Sequence, residues 1–414
     1  MINFNYFRVL IQNHEGPMEG RKIDNDYVLR VAWTAHRGAM ATAGVEAAVC
    51  LRDLIPGQRF ETTDERPDVI LFLSGGSERR AIELADPERP VLLLGIRGNN
   101  AYAAATEVMA WMVNNNRIAM LADATDAAGS GLIDRWRRVA GASEKLNGSR
   151  AGLIGTVSEW LVASDVSGET LRTRFGVELA GLPWKELPDY SNLEPDTCLL
   201  NRFRPESPEG IDDAARVLTL LRRVIFENRL DAIGVECFSL VQQRKVTACL
   251  ALAQLCSEGT VAACEGDLAS MAGMMAGKAL TGKVPWMANT TRLTGNSLIL
   301  SHCTAPFDFV SDVELPSHYE TGWSLAVDGS INATDVTIFR FSDTLARAFI
   351  ATGRVVSRPR LSDACRTQVE VELPMESIRL LKENPLGNHL LMLAGDHSEL
   401  IRLACRFRRI GIVE

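Results

Sequence analysis

The chain has 414 residues, of which 46% are hydrophobic and 23% are charged, and its net charge is −8. This length allows roughly two or three domains with separate cores. The acidic balance argues against a nucleic-acid partner, because no basic stripe is available to meet phosphates.

The cysteines and the apolar stretches indicate in which compartment of the cell the protein is expected. The nine cysteines are scattered without CxxC pairs, which is typical of free thiols in a reducing cytosol. The first residues lack the pattern of a signal peptide, and no stretch approaches the roughly eighteen apolar residues of a membrane span. We therefore expect a cytoplasmic protein that does not enter a membrane.

The first third of the chain repeats a strand, a glycine-rich turn and a helix. Asn3 to Gln12 is typical of a strand and Ala43 to Leu54 of a helix. Three apolar runs have the composition of buried parallel strands, namely Asp68 to Leu73, Pro90 to Ile96 and Arg117 to Ala122. This alternation predicts a doubly wound parallel α/β domain over residues 1–148.

A second doubly wound α/β domain is predicted over residues 149–290, because the alternation restarts at Ala151 to Thr156. The proline-rich and acidic segment from Glu178 to Asp213 indicates a long connection or lid.

After about Asn296 the pattern changes to short strands and turns, which predicts a mainly antiparallel, β-rich C-terminal domain over residues 291–414. The predicted strands are Leu298 to His302, Gly322 to Val327, Asp335 to Phe341, Ala348 to Val356 and Gln368 to Leu373, with a helix at Asp343 to Arg347.

The end of the central domain carries the most informative pattern. Val261 to Cys264 predicts a strand, and a helix follows with Asp267 suited to cap it. Val284 to Met287 predicts a second short strand. Glu265 and Asn289 would then follow the carboxyl ends of two strands, at the edge of an α/β sheet where ligands bind.

Polar residues follow three successive predicted strands, at Glu236, at Glu265 with Asp267, and at Asn289. His302 ends a further strand-like run. Two oxygen ligands and one imidazole suit a hard or borderline divalent ion such as Mn²⁺. Two of these residues have another interpretation: Asp267 as a helix cap, and Glu236 as a buried, paired carboxylate.

A series of short blocks runs along the chain in a fixed order. They are SGGSE at Ser74 to Glu78, ACEGD at Ala263 to Asp267, WMAN at Trp286 to Asn289, LILSHCTAP at Leu298 to Pro306, HYETG at His318 to Gly322, and GNH and GDH ending at His389 and His397. Together they resemble the L-fucose isomerase and L-arabinose isomerase superfamily, and most closely its shorter, fucose-isomerase-like members.

The resemblance implies a Mn²⁺ site (or a site for another divalent cation) built from two acidic residues and a histidine. By position, the first carboxylate falls on Glu265 and the histidine on His389, whereas the second carboxylate falls on Asn289. Asparagine offers a carbonyl oxygen but cannot take a proton, so Glu265 would shuttle the proton with help from Asp267, Glu236 or a water, or the reaction would differ. The residues expected to contact the substrate are Glu236, His302, His318 and Asn388.

The leading hypothesis is a metal-dependent, isomerase-like enzyme that moves a proton between C1 and C2 of an open-chain sugar or sugar derivative through an enediol. The resemblance also implies a homo-oligomer, a trimer or hexamer. One alternative is a metal-assisted decarboxylase or lyase that acts on an oxo-sugar acid. The other alternative is a sugar-binding protein without catalytic activity.

Overall fold

A computed structural model describes residues 27–54, 59–204 and 208–414, so the strand predicted at Asn3 to Gln12 lies outside the described residues. Within them the chain forms two compact units, residues 27–144 with 406–408 and residues 145–405 with 409–414. Each unit combines helices with sheets, so the mixed α/β class is confirmed. The division into three domains stays a prediction.

The first unit is built on a parallel sheet. Its five strands are β1 Leu29–Thr34, β2 Phe60–Thr62, β3 Val69–Phe72, β4 Val91–Gly95 and β5 Ala119–Asp123. Its helices are α1 Met40–Leu54, α2 Glu78–Leu84, α3 Ala101–Asn114, α4 Ala124–Gly129 and α5 Leu132–Leu146, with a 3₁₀ turn at Arg37–Ala39. The sheet order is β2-β1-β3-β4-β5. Every residue of β3 and β4 is buried, as expected for a parallel sheet covered on both faces.

The second unit begins with a smaller parallel sheet. Its four strands are β6 Arg150–Ile154, β7 Glu178–Leu182, β8 Ala232–Val235 and β9 Val261–Cys264, in the order β7-β6-β8-β9. The helices around it are α6 Gly168–Phe175, α7 Thr197–Arg202, α8 Ile211–Asn228, α9 Cys237–Arg244, α10 Cys249–Ser257 and α11 Leu268–Thr281, with 3₁₀ turns at Trp184–Glu186 and Tyr190–Asn192. The segment predicted as a connection therefore contains β7 and α7.

The rest of the second unit is mainly antiparallel. Its elements are β10 Trp286–Thr294, β11 Ser297–His302, β12 Val310–Glu314, β13 Asp328–Ile331, β14 Asp335–Phe341, β15 Arg347–Ser357, β16 Thr367–Glu372, α12 Met375–Glu383, β17 His389–Ala394, α13 Ser398–Phe407 and β18 Gly411–Ile412. Seven strands form one sheet in the order β14-β17-β10-β11-β16-β15-β18. Because β14 also pairs with β15, this sheet closes on itself, and β12 with β13 forms a separate hairpin.

The strand predicted at Val284 to Met287, with Asn289 just past its end, is wrong in its extent and in its sheet. Trp286–Thr294 is one strand of the antiparallel sheet, and Asn289 lies inside it, opposite His389 on one side and Ser301 on the other. A short apolar run does not by itself show which sheet it joins, and this strand continues into polar residues.

Two predictions in the C-terminal segment are also wrong. Asp343 to Arg347 is not a helix: its first four residues form the turn between β14 and β15, in which Leu345 has a φ of +51°, and Arg347 begins β15. Gly322 to Val327 is not a strand, because Gly322 and Ser324 have φ values of +70° and +53° and the backbone makes only isolated bonds such as that from the Ala326 N–H to the Pro316 carbonyl. Among the described helices, none combines the length and the apolar character needed to cross a membrane.

Helix α11 packs closely on the antiparallel sheet because glycines face it. A Cβ added at Gly273 would lie 2.4 Å from Leu391 Cδ1. A Cβ added at Gly277 would lie 2.5 Å from Pro285 Cγ and 3.2 Å from Phe339 Cζ. This contact sets the position of the helix that begins beside Glu265.

We expect Gly277→Leu to lower the free energy of unfolding by roughly 1–3 kcal/mol, because the new side chain overlaps Pro285 and Phe339. Gly181→Leu is the matched control, since a Cβ there meets no atom within 4 Å. Urea unfolding followed by tryptophan fluorescence measures both variants. Equal losses in the two variants would contradict the close packing of α11.

Candidate metal centre

Three side chains of the second unit converge at one point. They are Glu265, which follows β9, His302, which ends β11, and His389, which begins β17. Their ligand atoms lie within 4.8 Å of one another. Glu265 Oε1 is 3.8 Å from His302 Nε2 and 3.6 Å from His389 Nε2. The parallel sheet thus supplies the carboxylate, and the antiparallel sheet supplies both imidazoles.

A strained turn directs Glu265 to this point. Glu265 has a φ of +59° and Gly266 a φ of +66°, so two consecutive residues are left-handed. At Gly266 an added Cβ would lie 2.4 Å from the Thr156 carbonyl oxygen, so only glycine fits. The Ser158 N–H donates to the Glu265 carbonyl at 3.0 Å. Such a conformation persists only where its surroundings hold it.

The two imidazoles each leave one nitrogen without a partner. Both side chains are buried, and Nε2 of His302 and of His389 has no hydrogen-bond partner among the described residues. The other nitrogen is engaged in each case: His302 Nδ1 lies 2.9 Å from Thr304 Oγ1, and His389 Nδ1 lies 2.8 Å from Asp267 Oδ2. A buried, unpaired nitrogen is costly, and a metal ion would satisfy both. The three residues therefore fit a divalent transition-metal ion.

Asp267 lies behind His389 rather than among the three convergent groups. Its Oδ1 accepts from the Ser270 N–H at 2.6 Å, so the helix-cap interpretation is confirmed. Burial alone would raise the pKa of Asp267, but the bond with His389 and the charge of Arg340 lower it to about 2. A charged Asp267 thus fixes the orientation of His389, as carboxylates do for metal-binding histidines.

Arg340, on β14, ties these parts together. Its Nη1 donates to the His389 carbonyl at 2.6 Å and lies 3.5 Å from Asp267 Oδ2, while its Nη2 donates to Ser164 Oγ at 2.8 Å. An added Cβ at Gly387 would lie 2.2 Å from Nη2, so glycine is needed for the guanidinium to fit. The sequence reasoning missed Arg340, although an arginine between two phenylalanines, Phe339 and Phe341, was a signal of buried pairing.

The charges in the centre are strongly coupled. Burial alone would lower the pKa of His389, but Asp267 and Glu265 raise it to about 9. Burial outweighs the effect of Glu265 at His302 and lowers its pKa. Burial would raise the pKa of Glu265, but the two imidazoles hold it far below its usual range. The two carboxylates therefore favour the charged form of His389, whereas burial favours the neutral form of His302.

Asn289 lies in a different set of contacts. Its Oδ1 accepts from Asn388 Nδ2 at 2.5 Å, and its Nδ2 lies 3.7 Å from Cys365 Sγ. The third member of the convergent group is His302, which the sequence reasoning had placed with the substrate contacts. The assignment of Asn289 as a ligand stays a prediction.

Two other expected substrate contacts are buried and engaged. Glu236 follows β8, beside Glu265 at the same sheet edge, and its Oε1 accepts from the Ser239 N–H at 2.9 Å to cap α9. His318 Nδ1 lies 3.1 Å from Thr321 Oγ1, and burial together with the nearby imidazole of the centre lowers the pKa of His318 to about 4. Their contact with a substrate stays a prediction.

Sequence reasoning did not find two residues near the centre. The Trp160 Nε1–H donates to Glu265 Oε2 at 2.6 Å. Glu320 lies in the HYETG block, and partial burial together with the charge of Glu265 raises its pKa. Trp160 lies outside every block that suggested the family, so no sequence signal pointed to it.

A comparison with protein-family models gave no match, and a comparison with curated proteins gave no significant match. The relation to the fucose and arabinose isomerases therefore rests on the sequence blocks and stays a resemblance.

Proposed function

We propose that this chain is a metal-dependent enzyme that isomerises an open-chain sugar or sugar derivative. One observation carries the proposal: two buried imidazole nitrogens without partners face one carboxylate oxygen. One carboxylate with two imidazoles is a donor set suited to borderline ions such as Mn²⁺, Fe²⁺, Co²⁺ or Zn²⁺. When bound, such an ion would act as a Lewis acid for the negative charge that develops on the substrate oxygens.

In this proposal Glu265, His302 and His389 hold the ion. Asp267 has no exposed surface, so it acts through His389, whose ring it keeps aligned with its Nε2 toward Glu265. Arg340 keeps both the Asp267 carboxylate and the His389 backbone in place. The proton on His389 must leave before its Nε2 can bind an ion.

Isomerisation also needs a group that carries a proton between neighbouring carbons. Glu265 is committed to the ion and to Trp160, whereas Glu320 is an exposed residue whose carboxyl group is partly buried near Glu265. The raised pKa of Glu320 makes it a better acid–base group than an ordinary carboxylate at neutral pH. We therefore propose that Glu320, rather than the fully buried Asp267, transfers the proton.

We expect native protein to bind Mn²⁺ or Co²⁺, and Glu265→Gln or His302→Gln to weaken binding by at least about 100-fold, because each variant removes a ligand. Isothermal titration of metal-free protein measures the affinity. Glu370→Gln is the matched control, since its carboxylate bonds Ser297 and Ser357 away from the centre. Unchanged affinity in Glu265→Gln would contradict the assignment.

Metal binding should strengthen as pH rises. The pKa of His389 is about 9, so an ion must displace a proton at any lower pH. The apparent affinity should rise about tenfold per pH unit between about pH 6.5 and 8.5, with one proton released. Asp267→Asn removes the carboxylate that raises this pKa, so the dependence should level off at lower pH. Titration in buffers of different ionisation enthalpy counts the protons, and a pH-independent affinity would contradict the proposal.

A second candidate is a metal-assisted decarboxylase or lyase that acts on an oxo-sugar acid. The observation that favours it is the amide at Asn289, whose oxygen bonds Asn388, so the convergent group contains a single acid. Loss of carbon dioxide forms a carbanion without prior removal of a proton by a base. That reaction needs fewer carboxylates than a proton shuttle does.

Activity assays separate the two candidates. We expect native protein with Mn²⁺ to exchange the C2 proton of an aldose or a C1 proton of a ketose for deuterium, and Glu320→Gln to lower the rate by roughly 10²–10⁴-fold. Proton NMR in D₂O over a panel of sugars measures this exchange. Release of carbon dioxide from oxo-sugar acids, without exchange in any sugar, would favour the second candidate. So would isomerase activity that appears only in Asn289→Asp.

A further inference from the structure

We infer that Trp160 is a positioning residue for the metal centre: its indole N–H holds one oxygen of Glu265 and leaves the other for the ion. The inference rests on the proposed function, because it assumes that Glu265 is a metal ligand. It adds a residue that the resemblance does not suggest, and it specifies how Glu265 would bind.

The two oxygens of Glu265 have separate surroundings. Oε2 accepts the Trp160 indole N–H at 2.6 Å, a short bond to a charged acceptor. Oε1 faces the Nε2 atoms of His302 and His389 at 3.8 Å and 3.6 Å. Because an indole N–H donates but cannot accept, Trp160 cannot itself become a ligand. The carboxylate is therefore arranged to bind an ion through Oε1 alone.

The loop that follows β6 grips Glu265 at its backbone as well. Ser158, two residues before Trp160, donates its N–H to the Glu265 carbonyl at 3.0 Å. The Thr156 carbonyl lies so close to Gly266 that no Cβ fits between them. One short loop thus holds the left-handed turn and the carboxylate together, which defines both the position and the rotation of the side chain.

The Trp160 ring is supported although its surface is open. It packs edge-on against Phe238, in the first turn of α9, with ring centroids 4.7 Å apart and an interplanar angle of 80°. Even so, 53% of Trp160 is exposed. Burial of apolar surface therefore does not explain a tryptophan here, whereas a donor aimed at a ligand carboxylate does.

The bond with Trp160 would limit Glu265 to one oxygen, Oε1, as its contact with an ion. With the indole N–H in place, rotation of the carboxylate would break a short, charge-assisted bond. Without it, Oε2 is free, and Glu265 can turn or bind an ion through both oxygens. Groups that orient a ligand in this way typically change metal affinity by about 10–100-fold when they are removed.

The test is a Co²⁺ titration of Trp160→Phe, which keeps an aromatic ring against Phe238 and removes only the donor and part of the ring. We expect about tenfold weaker binding than in native protein and an altered visible absorption spectrum of the bound Co²⁺. The spectrum reports the ligand geometry, which a loss of stability alone would not change. Trp111→Phe is the matched control, because Trp111 stacks with Arg117 in the other unit.

The outcomes separate this inference from the proposed function. If native protein binds Co²⁺ and Trp160→Phe matches it in affinity and spectrum, the inference is overturned and the metal centre stands. If native protein binds no Co²⁺, the proposed metal centre is contradicted, and so is the role of Trp160 that depends on it.

A second measurement needs no variant. The seven tryptophans give indole N–H signals in ¹⁵N-labelled native protein, and addition of Zn²⁺ should shift one strongly. If Zn²⁺ binds and no indole signal moves, the inference is likewise overturned.

Discussion

The centre depends on the fully buried contact between Asp267 and His389. A carboxylate without exposed surface is costly unless it is paired and hydrogen-bonded, and Asp267 meets His389, Arg340 and the first turn of α11. The same contact fixes which nitrogen of His389 is free. Because its Nδ1 is engaged, only Nε2 can face Glu265. The contacts of Asp267 thus set three features together: the rotation of the His389 ring, the start of α11 and the charge of the centre.

This set requires two kinds of sheet in one compact unit. The parallel sheet brings Glu265 and Glu236 side by side at its carboxyl edge, where loops are free to carry functional side chains. The antiparallel sheet closes on itself and presents His302 and His389 from strand ends. Neither sheet alone contains both the carboxylate and the imidazoles. Close packing through the glycines of α11 keeps them within reach.

The numbers of carboxylate and imidazole groups in the centre affect which ion and which reaction it favours. A centre with one carboxylate and two imidazoles is less negative than one with two carboxylates, so it favours borderline ions over hard ones. It also leaves fewer bases for proton transfer. The proposed isomerisation therefore draws on Glu320, outside the convergent group, whereas a decarboxylation would not need it. The location of the acid–base group, rather than the metal, distinguishes the two reactions.

Local sequence patterns determined much of the fold. Apolar runs of the length of buried strands predicted β3, β4 and β9, because both faces of a parallel strand are covered. The cap at Asp267 followed from side-chain chemistry within one turn of the helix. Sequence patterns gave wrong assignments where a strand pairs with a strand that is distant in sequence. The strand at Trp286–Thr294 was assigned to the wrong sheet, because an apolar run does not show which strand it pairs with.

From the sequence alone came the mixed α/β class and two candidate site residues: Glu265, which follows a strongly patterned strand, and His389, which the resemblance to the isomerase family implies. Only the tertiary structure decided that His302 completes the convergent group, that Asn289 pairs with Asn388, and that Trp160 reaches Glu265. These contacts join residues from about 37 to 105 positions apart, as in the bond of Trp160 to Glu265. No local pattern encodes such distances, because they arise from how helices and sheets pack after they have formed.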